Sequence, residues 1–139
     1  MMVSVLVITT HMINIAHVAI IAKRIIVAAV SINFRKMKIV TKSQLDEIRA
    51  TDQLVVVDFF AEWCGPCKVF ANTLEKLDGM YPDVTFVKVD TEEEDDLVDE
   101  FGIRNLPTLI ILKGDDVLER KSGNLPATEV SELIIKHNN

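Results

Sequence analysis

The chain has 139 residues, enough for one domain with a hydrophobic core, and it carries a formal net charge of −6. An acidic chain lacks the basic face that general nucleic-acid binding requires, so that class of partner is excluded. With two cysteines, it also cannot be one of the small secreted proteins that a disulfide framework holds together.

The charge is distributed unevenly along the chain. Residues 1–36 carry four basic side chains and no acidic one, whereas residues 37–139 carry 21 acidic and 11 basic side chains, a net charge of −10. Such an asymmetry indicates a boundary between unlike segments. We therefore predict an N-terminal apolar and basic extension over residues 1–36 and a folded domain over residues 37–139.

The role of the extension stays open between three interpretations. Residues 2–22 could cross a bilayer marginally as an anchor, and the basic residues after them would then favour a cytoplasmic C-terminal domain. A targeting segment is the second interpretation, because Val27–Ala29 resembles a cleavage site and basic residues without acidic ones suit a mitochondrial presequence. In the third, the stretch is a dispensable or non-native extension, and translation begins at Met37.

The rest of the chain alternates between strand and helix patterns. Residues 38–40 resemble a short edge strand, and Thr41 with Gln44 has the form of a capping box that begins a short helix. Residues 54–60 form a β-branched and aromatic run, which is typical of a central strand buried on both faces. Asp58 is the anomaly in that run, because a carboxylate is costly to bury without a partner or a role.

A helical pattern follows the cysteines, and we expect Pro82 to end it. Residues 84–89 then alternate as a second inner strand. Thr91 and Glu94 have the form of another capping box, opening a helix that Gly102 ends. The predicted inner stripe of the first of these helices is Val69, Phe70, Thr73, Leu74, Leu77 and Met80 or Tyr81.

A hairpin and a helix complete the chain. Residues 108–112 and 117–122 are predicted strands around a turn, and Pro126 suits the first turn of a last helix. The order β-α-β-α-β-α-β-β-α predicts an α/β fold with a central mixed sheet flanked by helices on both faces. The predicted inner residues of the last helix are Val130, Leu133, Ile134 and Ile135.

Cys64 and Cys67 lie between the central strand and the helix that follows it. Unpaired N–H groups and the dipole at a helix start stabilise a thiolate, which is the form that attacks a disulfide. Cys64, at the exposed start, is therefore predicted to attack the target, and Cys67, one turn in, to resolve the mixed disulfide. The intervening Gly65 and Pro66 keep the ring tight. Proline is tolerated at this early helical position because its φ is preset and it has no N–H to lose.

Separated segments of the chain resemble the thioredoxin family. The stretch from Asp58 to Lys68, DFFAEWCGPCK, is similar to the family's active-site segment, and Gly102–Thr108, GIRNLPT, is similar to its second signature. Gly123 fits the family's glycine after the last strand. The resemblance covers about residues 37–137 and implies a thioredoxin fold. It also implies a protein disulfide reductase that maintains cell redox homeostasis by dithiol–disulfide exchange through Cys64 and Cys67.

The resemblance also implies roles around this redox disulfide. Asp58 would be the buried general base behind Cys67, with its pKa raised by burial, and Lys88 would be an auxiliary group beside it. Pro107 would be a cis-proline against the dithiol, and the residue before it would pair with the substrate backbone. The predicted docking surface consists of Trp63, Gly65, Pro66, Leu106, Pro107, Gly123 and Asn124.

For partners, the resemblance implies thioredoxin reductase, which would supply electrons from NADPH, and disulfide-containing target proteins. It implies no bound cofactor and a cytoplasmic monomer, with membrane contact only if residues 1–36 are an anchor. One alternative is the same chemistry in a membrane-tethered or organelle-imported protein. The other is a non-catalytic interaction module on the same fold.

Two residues depart from the family pattern. Phe60 stands where many members have tryptophan, which should alter packing more than chemistry. Asn72 stands where many have a helix-kinking proline, which puts that kink in doubt, and with it local stability and redox potential.

Other interpretations of single residues are weaker. Trp63 could be ordinary core, and Lys88 could extend to solvent like any strand lysine. The acidic run over residues 92–96 is most simply a solvated first helical turn, although it could also steer basic partners. A zinc site needs about four ligands, so no metal is expected. The histidines, which lie far in sequence from the cysteine pair, are His11, His17 and His137.

Overall fold

The structure is a computed structural model that describes residues 36–139, so the predictions for the extension lie outside the described residues. Across 36–139 the elements follow the predicted order. No helix within this range has the length and apolar character needed to cross a bilayer. The elements are β1 (Lys38–Ile39), α1 (Lys42–Arg49), β2 (Leu54–Phe60), α2 (Gly65–Asp78), β3 (Thr85–Asp90), α3 (Asp95–Phe101), β4 (Thr108–Lys113), β5 (Asp116–Ser122) and α4 (Ala127–His137).

The strands form one mixed sheet in the order β1-β3-β2-β4-β5. The central strand β2 runs parallel to β3 and antiparallel to β4, and β5 completes a hairpin with β4. The register places Asp58 of β2 opposite Lys88 of β3 on one side and Leu109 of β4 on the other. The predicted α/β class with a central mixed sheet is confirmed.

Helices cover both faces of the sheet. All seven residues of β2 are buried, because its side chains alternate between the two faces and both faces are packed. On one face, Val56 packs with apolar residues of α2 and α4; on the other, Val57 and Phe59 pack with residues of α1 and α3. Each fully buried side chain of this kind contributes about 1.5–3 kcal/mol to folding.

Two predicted helix boundaries are confirmed. The Thr41 N–H donates to Gln44 Oε1 over 3.2 Å, as the capping box at the start of α1 requires. Gly102 ends α3 in the left-handed conformation, with a φ of 58° that glycine adopts without strain.

The predicted end of α2 is wrong. The helix ends at Asp78 with Gly79 as its cap, four residues before Pro82, so Met80 lies beyond the helix and is exposed. Val69 is also exposed, because the buried stripe follows Phe70 and Leu74 and Val69 falls to its side. In α4, Val130 and Ile134 are buried and Ile135 points to solvent, contrary to its predicted inner position.

The predicted capping box of Thr91 and Glu94 is also wrong, because tertiary contacts use both side chains. The Thr91 N–H and hydroxyl both donate to the Phe60 carbonyl, over 3.0 and 3.1 Å. Glu94 accepts the Lys42 N–H over 3.0 Å and thereby joins this segment to α1. Helix α3 begins only at Asp95, so the acidic run lies mostly before the first helical turn.

Candidate active site

Cys64 and Cys67 form a disulfide at the start of α2, with their Cα atoms 5.3 Å apart. Cys64 is the N-cap residue of the helix, and the Cys67 N–H donates to its Sγ over 3.2 Å. Pro66 occupies the first turn, where its missing N–H costs no helical hydrogen bond. An N–H group of the helix start is therefore already directed at the Cys64 sulfur.

The two cysteines differ in position more than in exposure. Cys64 is 5% exposed and Cys67 is 2% exposed. The predicted difference in exposure between the two cysteines is therefore small in this oxidised form. Both cysteines lie in one buried cluster with Phe60 and Ala61. Cys64, unlike Cys67, lines a surface groove, and this makes it the cysteine that an incoming chain would meet.

The groove beside Cys64 has a volume of about 750 Å³. Four of the predicted docking residues line it, namely Trp63, Gly65, Pro66 and Leu106. It also contains residues that sequence reasoning missed, which lie after β3, on α3 and before β4. Because β2 and β3 end, and β4 begins, at the same edge of the sheet, topology was the signal that could have indicated them. They are Thr91, Val98, Ile103, Arg104 and Asn105.

The remaining predicted docking residues lie outside the lining of this groove. The Leu106–Pro107 peptide bond is cis, as predicted, and Pro107 is buried. The Pro107 carbonyl accepts the Gly123 N–H over 2.9 Å, which holds the end of β5 beside the start of β4. Gly123 has a φ of +96°, a conformation that a side chain would strain, and Asn124 is exposed.

Asp58 is fully buried, and in the described part of the chain neither of its carboxylate oxygens has a hydrogen-bond partner. Burial raises the pKa of Asp58 from 3.8 to about 7, and the positive charge of Lys88 opposes this rise. The predicted direction of the shift is therefore confirmed. At neutral pH the carboxyl group is poised between its two protonation states.

The two departures from the family pattern have different surroundings. Phe60 is buried beside the disulfide, and the Lys88 Nζ lies 4.1 Å from the centroid of its ring. Lys88 is thus half-buried over an aromatic face and does not simply extend to solvent. Asn72 is exposed on α2, which continues as a helix through this position.

Comparison with known proteins agrees with this geometry. The family model described as Thioredoxin matches residues 36–136. The chain belongs to the thioredoxin family. Thioredoxin from Mycoplasmoides gallisepticum is 38% identical over 96 residues, covering 69% of this chain and 96% of that protein. Bacillus subtilis thioredoxin is 38% identical over 100 residues, covering 65% of this chain and 96% of that protein. A structure of Plasmodium falciparum thioredoxin matches with a TM-score of 0.67 and 34% identity, covering 73% of this chain and 99% of that one.

Membership of the thioredoxin family assigns the class of chemistry. The chain is a thiol–disulfide oxidoreductase of the protein disulfide reductase type, with a Cys64–Cys67 pair in the redox motif. A purely structural use of the fold is not favoured, because the pair is present and bonded. Among residues 36–139, no three His, Cys, Asp or Glu side chains are grouped so that they could hold a metal ion.

Trp63 is a rim residue of this thioredoxin domain, not a core residue. Its side chain is 71% exposed, which rules out the interpretation of Trp63 as ordinary core. The indole Nε1–H donates to Glu92 Oε1 over 2.9 Å. Part of the acidic run therefore orients the aromatic side chain beside Cys64, a role that local sequence patterns did not indicate.

Replacing Glu92 by alanine should release the Trp63 indole. Trp63 is the sole tryptophan of the chain, so its fluorescence reports this site alone. We expect a lower fluorescence anisotropy from faster local motion, because a charge-assisted hydrogen bond is lost. Glu93→Ala, which removes an equal charge from the exposed neighbour, is the matched control and should leave the anisotropy unchanged. Equal anisotropy in Glu92→Ala and the native protein would contradict the orienting role.

Proposed function

We propose that Cys64 is the nucleophile and Cys67 the resolving residue of a protein disulfide reductase. The reduced Cys64 thiolate attacks one sulfur of a target disulfide, forms a mixed disulfide and releases the other target sulfur as a thiolate. Cys67 then attacks Cys64, which restores the Cys64–Cys67 disulfide and releases the second target thiolate. Two electrons pass to the target in each cycle. The observation that carries this proposal is the disulfide at the start of α2 with Cys64 in the groove.

Asp58 is the proposed general base of the second step. It would accept the proton of the Cys67 thiol, so that the thiolate can attack the mixed disulfide. Its pKa of about 7 supports this role, because a base works best when its pKa lies near the operating pH. Lys88 is the proposed auxiliary group, since it is the strand neighbour whose charge acts on Asp58.

The proposed docking surface combines the groove with the adjacent strand ends. An extended segment of the target would lie along the residue before Pro107, with its disulfide over Cys64. The groove lining and the exposed indole support this placement. The proposed docking residues are Trp63, Gly65, Pro66, Leu106, Pro107, Gly123 and Asn124.

Electrons would come from NADPH through a thioredoxin reductase, and the targets would be disulfides of other proteins. Membership of the thioredoxin family supports both partners. The working form is a cytoplasmic monomer without a bound cofactor, acting in cellular electron transport. The thioredoxin domain spans residues 37–139, and the family match to residues 36–136 supports this boundary.

A coupled assay tests the proposed function. The full-length protein is mixed with a thioredoxin reductase, NADPH and a protein disulfide such as insulin, and NADPH oxidation is followed. We expect NADPH oxidation that depends on the protein itself as well as on the reductase and the insulin. Replacing reductase and NADPH by dithiothreitol separates a mismatched reductase from a failure of exchange. If insulin reduction is not accelerated under either condition, the proposed function is wrong.

The location of the protein is tested separately. Fractionation of cells that express the full-length chain should place it in the soluble cytoplasmic fraction. N-terminal sequencing of the recovered protein then shows whether residues 1–36 are retained, cleaved or absent. Recovery in the membrane or organelle fraction would favour the tethered or imported alternative, which uses the same chemistry.

A further inference from the structure

The charged end of Lys88 lies over an aromatic ring and makes no ion pair with the carboxylate beside it. Lys88 and Asp58 occupy opposite positions on β3 and β2. The Lys88 Nζ nevertheless lies 4.1 Å from the Phe60 ring centroid, and neither Asp58 oxygen accepts a hydrogen bond from the described residues. The face of an aromatic ring attracts a cation through its quadrupole. The Phe60 ring therefore stabilises a half-buried ammonium close to the buried carboxyl group.

Phe60 is itself held firmly in that place. Alternate residues of a strand share one face of the sheet, so Phe60 and Asp58 point to the same side. The Phe60 side chain is buried against Cys64 and Cys67. Its carbonyl accepts two hydrogen bonds from Thr91, which anchor the backbone at the end of β2. The ring is thus a fixed element between the disulfide and the lysine.

We propose that Phe60 is a positioning residue of the reaction, whose ring keeps the Lys88 ammonium inside the protein, close to Asp58, and so sets the pH at which Asp58 exchanges its proton. The inference rests on the proposed role of Asp58 as the proton acceptor. Without the ring, the ammonium is stabilised better by water than by a half-buried apolar site. Solvent would then screen its charge from Asp58.

Among the described residues, Lys88 is the only charged group that acts on Asp58. On the Asp58 face, α2 and α4 contribute apolar side chains and the Cys64–Cys67 disulfide. Strand β4 places Leu109 opposite Asp58, and β3 places Lys88 there. Lys88 is accordingly the one charge that opposes the effect of burial on the Asp58 pKa.

The test is the titration of Asp58, followed by NMR of its carboxyl carbon in the full-length oxidised protein, in which neither cysteine titrates. We expect Phe60→Leu to raise the pKa of Asp58 by about 0.5 unit or more, because a nearby positive charge is lost. Lys88→Met should raise it by a similar amount. Phe60→Trp should keep it near the native value, since tryptophan is the best cation-binding ring.

The double variant decides between electrostatic positioning and packing. In the Lys88→Met background, Phe60→Leu should cause no further shift, because there is no ammonium left to hold. An equal shift in both backgrounds would mean that the ring acts through packing, and the proposal would be wrong. It would be equally wrong if Phe60→Leu alone left the pKa unchanged or lowered it. Circular dichroism checks the fold, and Phe60→Met replaces Phe60→Leu if the latter does not fold.

This titration requires neither a reductase nor a target protein. A failed reductase assay with an intact Phe60–Lys88 coupling would overturn the proposed function alone. A working reductase without the coupling would overturn the positioning role of Phe60 alone.

Discussion

A Cys64→Ser variant should lose reduction of insulin by dithiothreitol down to the uncatalysed background. Serine has nearly the same size as cysteine, but its hydroxyl does not ionise near neutral pH and cannot attack a sulfur. The loss should be complete, since Cys67 does not line the groove and cannot replace the nucleophile. Turbidity of the released insulin chains measures the rate. Asn72→Ser, an exposed substitution on the same helix, is the control and should keep native activity.

The Cys67→Ser variant should fail at the next step. Cys64 can still form a mixed disulfide with the target, but no internal thiol remains to release it. Covalent complexes should accumulate, visible by mass spectrometry without a reducing agent and absent from the Cys64→Ser protein. Full turnover by Cys64→Ser would contradict the assignment of Cys64 as the nucleophile. Trapped complexes through Cys67 in the Cys64→Ser protein would reverse the two roles.

An Asp58→Asn variant should become more stable and, at the same time, slower. For a carboxyl group whose pKa is raised by folding, the native state binds more protons than the unfolded state between the two pKa values. Stability therefore falls as the pH rises from about 4 to about 7, and then levels off. The rise of the Asp58 pKa from 3.8 to about 7 lowers the free energy of unfolding above pH 7 by roughly 4 kcal/mol. Asparagine has no charge to bury and should recover much of this free energy.

Urea unfolding of the oxidised protein across this pH range measures the gain. The native protein should lose stability towards neutral pH, and the Asp58→Asn profile should be flatter. Asp83→Asn, at an exposed position, should behave like the native protein. Stopped-flow release of a target from the mixed disulfide should be slower in Asp58→Asn at neutral pH. An unchanged release rate would leave Asp58 with a structural role only.

Local patterns predicted the elements whose boundaries depend on local chemistry. Strand β2 was recognised from its β-branched and aromatic residues, and its burial on both faces follows from its central place in the sheet. Gln44 and Gly102 marked helix ends correctly because a cap is made within a few residues of the chain. The anomaly of Asp58 was also visible from sequence, because a carboxylate within an apolar strand pattern is recognised from its immediate neighbours.

The wrong end of α2 and the wrong inner positions of Val69 and Ile135 are local errors of a turn or less. The other missed contacts concern residues whose partners lie far along the chain. Thr91 has a capping pattern, but its hydrogen bonds go to Phe60, 31 residues earlier. Glu92 belongs to an acidic run, but it accepts a hydrogen bond from Trp63, 29 residues earlier. The lysine over the Phe60 ring is a contact between neighbouring strands, which only the sheet register creates. Local spacing contains no information on such pairs.

The burial of Asp58 separates the two stages of the reaction in their response to ionic strength. Dissolved salt screens charges that face water over a Debye length of about 8 Å at physiological salt. Such charges are those of Arg104, which lines the groove, and Glu92, which accepts the hydrogen bond of Trp63. Salt acts far less on a carboxyl group without solvent contact. Added salt should therefore change the rate at which charged targets arrive, while the proton step within the formed complex proceeds as before.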